Sequence, residues 1–160
     1  MRVATDLVTP ETERLPEAEL RYAVVGAHGC SLAMAVVPYL LADGDPGAAR
    51  FLAAGEPLPM GVQPVVVADS TVYGAVSVER LMRYWAPNLP RPWVVLTSEA
   101  PIPSPAAARY RIRALAARFA GTATLPYLPV LRTVEDPAQA MDHDAVQAAA
   151  ARLRRHLEGN

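Results

Sequence analysis

The chain has 160 residues, enough for one domain that would bury about 70% of its unfolded surface. Its composition, 52% hydrophobic and 19% charged, argues against a disordered chain. All fifteen basic residues are arginine, and sixteen acidic residues balance their charge. The chain therefore has no net positive charge that would attract nucleic acid or anionic lipid. The single cysteine, Cys30, excludes an intrachain disulfide and any multi-cysteine metal site.

Residues 1–20 are polar and acidic and contain Pro10 and Pro16, which predicts a flexible N-terminal arm. This segment lacks the apolar core of a signal peptide. The longest mostly apolar segment, Cys30–Ala42, is shorter than the roughly 20 residues that span a bilayer. These features predict a cytoplasmic protein without membrane insertion. The rest of the chain, residues 21–160, is predicted to be a single α/β domain.

Four short apolar runs predict β-strands: Tyr22–Gly26, Pro64–Asp69, Trp93–Thr97 and Thr122–Leu125. Each run is continuous rather than alternating, as expected for parallel strands covered on both faces. The intervening segment Asp43–Gln63 is rich in Gly and Pro, which predicts a loop that contains a short helix at Ala48–Ala54.

A helical pattern follows the second strand, in residues 76–86. Glu79 and Arg83 form an i, i+4 pair on one face. The apolar stripe on another face consists of Val78, Leu81, Met82 and Trp85.

A second helical pattern covers residues 104–121, where Ser104 is the expected cap, Pro105 occupies the first turn and Gly121 ends the helix. Its apolar stripe consists of Ile112, Leu115, Ala116 and Phe119. The last helix, in residues 142–159, has acids in its first turn and arginines near its end, as the helix dipole favours. Strands that alternate with helices predict a three-layer α/β sandwich with a mostly parallel sheet.

The first predicted strand is followed by the sequence "GAHGCSLAM", whose glycines are typical of a phosphate-binding loop. Gly26 and Gly29 would bring backbone N–H groups close to an anion, and the start of a helix carries partial positive charge. The alternative is a tight strand-to-helix turn that needs two glycines.

The order of these parts resembles the ParA/MinD class of P-loop ATPases, and in particular its small actinobacterial relatives. The resemblance covers Tyr22 to about Pro137 and is carried by "GAHG", "VVVADST", "WVVLTSEAP" and "TLPYLPVLRTVEDP". It implies a P-loop NTPase-like fold, reduced in size. The loop residues that match the family's phosphate loop are Gly26, His28, Gly29 and Ser31, of which Ser31 is the possible remnant of the magnesium-binding hydroxyl.

The sequence departs from the family where catalysis would occur. A working loop needs a lysine on the β/γ-phosphate oxygens, and this chain contains no lysine. The loop is also several residues shorter, and Asp69 is only a weak candidate for the catalytic aspartate. We therefore expect no ATP hydrolysis and no cofactor, and interpret the loop as vestigial.

Two other chemistries are conceivable. His28 and Cys30 could form a nucleophile pair in a hydrolase or transferase, although a small cysteine packed at the helix start is the simpler explanation. Asp43 with Asp45, or the run Asp142, His143 and Asp144, could bind a metal. Adjacent helical residues diverge by about 100°, so the side chains of Asp142, His143 and Asp144 cannot all converge on one ion. We interpret the acids as helix-start charges and expect no metal site.

One face of the helix at residues 106–120 predicts an interface. Tyr110, Ala114 and Ala117 lie opposite the apolar stripe, where a solvated helix usually carries Glu, Lys or Gln. Arg109 and Arg113 flank the stripe on one side. The alternative explanation is an alanine-rich helix without a partner.

The sequence thus predicts a non-catalytic, ParA/MinD-like pseudo-ATPase domain that serves as a protein–protein assembly or scaffold component, through a partner protein or self-association. The alternative is a nucleotide- or anion-binding regulator that uses Gly26–Ser31 without hydrolysis. An arginine-lined helix face could contact DNA phosphates. Nucleic-acid binding is not expected, however, because the net charge is −1 and the chain has no lysine, whereas phosphate contacts usually need several clustered cations. The actinobacterial relatives imply, by resemblance, a role beside mobile-element machinery.

Overall fold

The computed structural model describes residues 19–159, so the predicted arm at residues 1–20 lies outside the described residues except for Glu19 and Leu20. The strands are β1 (Tyr22–Gly26), β2 (Ala49–Phe51), β3 (Gln63–Asp69), β4 (Trp93–Thr97) and β5 (Gly121–Leu125). The helices are α1 (Leu32–Ala35), α2 (Val37–Ala42), α3 (Val72–Arg83), α4 (Ala106–Ala114), α5 (Pro137–Ala140) and α6 (Asp144–Glu158), with 3₁₀ turns at Ala116–Arg118 and Pro129–Arg132.

The five described strands form one parallel sheet in the order β2-β1-β3-β4-β5. This is the strand order of flavodoxin-like doubly wound folds. Helices α2 and α6 cover one face of the sheet, and α3 and α4 cover the other. The predicted three-layer α/β sandwich with a parallel sheet is confirmed.

The residues of β3 show why a continuous apolar run is needed in the centre of such a sheet. Val65 and Val67 pack under α2 and α6, whereas Val66 and Ala68 pack under α3 and α4, and all four are fully buried. β5 differs from the prediction because it is an edge strand. Its Thr122 and Thr124 are exposed, so one face of this strand is only partly covered.

The prediction of a short helix at Ala48–Ala54 is wrong, because part of that segment is the edge strand β2. Its register pairs Ala49 with Tyr22 and Phe51 with Val24. The amide of Leu52 extends the pairing by donating to the Val24 carbonyl at 2.8 Å. Strand β2 bonds to the backbone groups of β1 that would otherwise lie at an open edge of the sheet. The stabilisation from this pairing outweighs the helical propensity of the local alanines.

The helix predicted for residues 104–121 is shorter than expected at both ends. Its start has no side-chain cap, since the Ser104 hydroxyl donates to the Ser70 carbonyl at 2.8 Å. α4 ends at Ala114, a 3₁₀ turn follows, and Phe119 is extended and buried against the sheet. Gly121 therefore opens β5 instead of ending a helix.

Gly121 also makes room for a side chain from the neighbouring strand. A Cβ atom at this position would lie 2.3 Å from the Trp93 ring, and Trp93 is the residue paired with Gly121 in the register. His156 of α6 meets the same ring edge-on at 5.5 Å, and its Nε2 lies 2.9 Å from the Thr122 carbonyl oxygen. The start of β5 is thus held between a tryptophan and the last turns of α6.

Candidate functional site

The predicted loop lies at the topological switch point of the sheet. After β1 the chain turns to the face covered by α2 and α6, and after β3 it turns to the face covered by α3 and α4. The two loops therefore diverge at the carboxyl ends of two neighbouring strands. Ligands of doubly wound sheets bind in the crevice at such a point. Gly26–Ser31 and the segment that starts at Asp69 therefore form the first candidate site.

The His28 side chain fills the inside of this loop. Its side chain is 4% exposed, and its Nε2 accepts a hydrogen bond from the Asp69 amide at 2.9 Å. Nδ1 lies 3.0 Å from the Gly29 carbonyl oxygen, which places the proton on Nδ1. The Tyr73 ring packs against the imidazole at 5.2 Å. His28 thus ties the loop to the end of β3 and is directed away from solvent.

The other loop residues also have local structural roles. The Ser31 hydroxyl caps α1 by accepting from the Met34 amide at 3.2 Å. A Cβ atom at Gly26 would lie 3.2 Å from the His28 carbonyl oxygen, so the turn is tight there, whereas Gly29 faces open space. α1 has only four residues, and α2 starts immediately after Val36. The four predicted loop residues are adjacent, but two of their side chains are already bonded.

The hydrogen bonds of Cys30 and His28 go to backbone groups and not to each other. The Cys30 thiol is 3.4 Å from the Ser31 carbonyl oxygen, and the residue is exposed. Desolvation raises the pKa of this thiol, and the nearby Asp69 carboxylate raises it further. A nucleophilic cysteine needs a lowered pKa and an adjacent base, and the arrangement around Cys30 supplies neither.

A group of hydroxyl side chains borders the crevice, and sequence reasoning did not identify it. The Ser70 and Ser98 hydroxyls lie 3.3 Å apart, and the Thr97 hydroxyl lies 3.4 Å from an Asp69 carboxylate oxygen. The signal was the presence of small polar residues directly after two adjacent strands, in "ADST" and "LTSE". These groups bond mainly to one another and to the strand ends, which fixes the edge of the sheet.

The predicted interface on α4 is exposed. Tyr110 is 73% exposed and lines a depression of about 630 Å³ between α3 and α4, together with Ala114 and the Arg111–Glu79 ion pair. Arg109 and Arg113 are exposed beside it, and Arg109 donates to the Ser104 carbonyl at 2.6 Å. Ala117 is separate, because it lies on the 3₁₀ turn and borders a neighbouring depression.

The acids considered as metal ligands are dispersed. Asp43 pairs with Arg154 at 3.1 Å, and Asp142 lies before α6, whose first residue is Asp144. Between residues 19 and 159, no three His, Cys, Asp or Glu side chains come together in a way that could hold a metal ion. In the same range, no helix has both the length and the hydrophobicity that a membrane span requires.

Comparison with protein-family models, curated proteins and solved structures finds no match to this chain. The function must therefore be argued from the geometry of its own residues.

Proposed function

We propose that this chain is a non-catalytic relative of the ParA/MinD ATPases and acts in the cytoplasm as a protein–protein assembly component. The observation that carries the proposal is the position of His28. Its ring occupies the inside of the loop in which the family's members hold phosphates, and it is fixed there by Asp69 and Gly29. Release of the ring would leave the Asp69 amide without its partner, which disfavours an open loop.

Three further features support the absence of triphosphate chemistry. The chain has no lysine to neutralise the terminal phosphates. The Ser31 hydroxyl, which would face a magnesium ion, accepts from the Met34 amide instead. α1 has only four residues, so the dipole at its start is small.

The α4 face is the surface that we assign to the partner. The exposed tyrosine and the arginines of this face belong to the residue types that are enriched at protein–protein interfaces. The ion pair between Arg111 and Glu79, with a distance of 2.8 Å, links α4 to α3 beside Tyr110.

We expect Tyr110→Glu to weaken self-association or partner binding by about 2 kcal/mol, or roughly thirtyfold in Kd, because it places a charge in the centre of the contact. Sedimentation velocity measures self-association, and quantitative capture from the native host measures partner binding. Tyr84→Glu is the matched control, because Tyr84 is 88% exposed at the far end of α3. Association that survives Tyr110→Glu at full strength would show that the α4 face is not the interface.

The second candidate function is a nucleotide- or anion-binding regulator, and the position of Gly26–Ser31 at the switch point favours it. Calorimetric titration with ATP, ADP and GTP, with and without magnesium, separates the two candidates. Under the assembly proposal we expect no saturable heat from any of them. Saturable binding that Gly29→Asp abolishes would favour the regulator instead.

A further inference from the structure

A second groove lies beside α2, on the opposite side of the sheet from α3 and α4, and Cys30 of the loop after β1 lies at its border. It has a volume of about 660 Å³ and is bordered by α2, β2, α5, α6 and the loop at residues 43–47. Small-molecule sites typically have volumes of about 300–1,000 Å³ and mostly apolar walls. The apolar side chains of this groove include Pro38, Tyr39, Ala42, Phe51 and Met141.

The polar groups of the groove centre on Arg154. Its side chain is 17% exposed, and one guanidinium nitrogen donates to the Leu40 carbonyl at 2.8 Å. The other nitrogen lies 3.1 Å from the Asp43 carboxylate, whose side chain is 63% exposed. A guanidinium has five N–H donors in a planar fork that matches a carboxylate. Arg154 is therefore a cation held in position by α2, and its only acidic partner among the described residues is exposed.

Asp43 is a weak partner for this cation. It is the residue after α2 and has a left-handed backbone with φ of 51°, a conformation that glycine adopts more readily. Its exposed carboxylate remains largely hydrated, so the ion pair with Arg154 is weak. Replacement of Asp43 by the carboxylate of a ligand would therefore cost little free energy.

The second cation of the groove is already neutralised. Arg50 donates two hydrogen bonds to Glu56, at 2.6 and 3.1 Å, and this pair closes the turn after β2. One guanidinium that can exchange its partner, surrounded by apolar walls, suits a ligand with a single negative charge. A polyanion such as a nucleotide would have further charges without partners.

We propose that this groove binds a small apolar monocarboxylate, with an aromatic or hydrocarbon body against α2 and β2. Its carboxylate pairs with Arg154 in place of Asp43. This proposal does not depend on the assembly function, because the α4 face lies on the other side of the sheet.

The test compares 2-naphthoate with its neutral isostere 2-naphthamide on the full chain, by calorimetry and by amide chemical shifts. We expect the acid to bind about tenfold more tightly than the amide, because it gains a charge-assisted hydrogen bond. The shifts should centre on Ala42, Ala49 and Met141. Equal affinity for both compounds, or shifts centred elsewhere, would overturn the proposal.

Two variants should change the affinity in opposite directions. Asp43→Gly removes the competing carboxylate and suits the left-handed backbone, so we expect several-fold tighter binding of the acid and unchanged binding of the amide. Arg154→Met keeps most of the side-chain volume but should lower the affinity for the acid to that for the amide. Arg80→Met, at an exposed position on α3, is the matched control and should leave both affinities unchanged. If Asp43→Gly does not strengthen binding of the acid, Arg154 is only a cap of α2 and the proposal is wrong.

Discussion

Among the described glycines, Gly74 leaves the least room for a side chain. It lies in the first turn of α3, and a Cβ atom there would lie 1.9 Å from the Asp69 carbonyl oxygen. Because that neighbour is backbone at the end of a central strand, it cannot rotate away. Gly74 lets α3 start close to the end of β3, where the amide of Asp69 donates to His28.

We therefore expect Gly74→Ala to lower the free energy of unfolding by about 2–3 kcal/mol, measured by urea denaturation. Gly29→Ala is the control, since a Cβ atom at Gly29 has no neighbour within 4 Å. It should be neutral or stabilising by a few tenths of a kcal/mol, because alanine restricts the unfolded chain. Equal effects of the two substitutions would show that α3 starts farther from β3 than described.

At the scale of elements, β2 is the smallest part of the sheet and depends on the turn that follows it. Arg50 lies within this three-residue strand and binds Glu56, whose carboxylate also accepts from the Ala53 amide at 2.7 Å. These bonds, first those from Arg50 and then that from Ala53, lower the pKa of Glu56 from 4.5 to about 2.

This lowered pKa predicts how the turn responds to acid. Because the folded pKa lies below the unfolded one, the contribution of Glu56 to stability is complete above pH 4.5 and is lost as the pH falls towards 2. We expect an NMR titration of the Glu56 carboxyl to give a midpoint near 2. Arg50→Gln should shift this midpoint back towards 4.5, and an unchanged midpoint would mean that the ion pair does not form in solution.

Sequence reasoning was most successful for long elements with strong periodicity. The β3 and β4 runs were recognisable because both faces of a central strand must be apolar. The helix predicted for residues 76–86 exists as α3, but it starts at Val72 and ends at Arg83, so Trp85 of the predicted stripe lies beyond it. β2 was missed because Ala49–Phe51 is too short to show a period and gains its stability from β1. A turn from strand to helix was expected after β1, but the division of the following segment at Val36 into two short helices was not.

The candidate sites show the same limit. Glycine spacing located the loop at the switch point, because that signal is local. The inward direction of His28 depends on Asp69, a residue 41 positions away, and cannot be read from the loop itself. The groove beside α2 was also missed, since Arg154 meets Leu40 across 114 residues of chain.

At the scale of the whole molecule, the sheet separates two surfaces with different chemistry. One side presents the exposed tyrosine and arginines of α4, and the other presents the mostly apolar groove that contains Arg154. The helices on the two sides contact different residues of β3, since Val65 and Val67 alternate with Val66 and Ala68. The central strand β3 therefore packs against the helices of both sides.

The ring of Trp93, enclosed by Gly121 and His156, gives this molecule a natural optical probe. Indole emission changes with hydration and with nearby imidazole, and the chain has only one other tryptophan, Trp85. With Trp85 replaced by Phe, the fluorescence comes from a single seam between β5 and α6. Detachment of the C-terminal helix during unfolding can then be followed in real time, without attaching a dye.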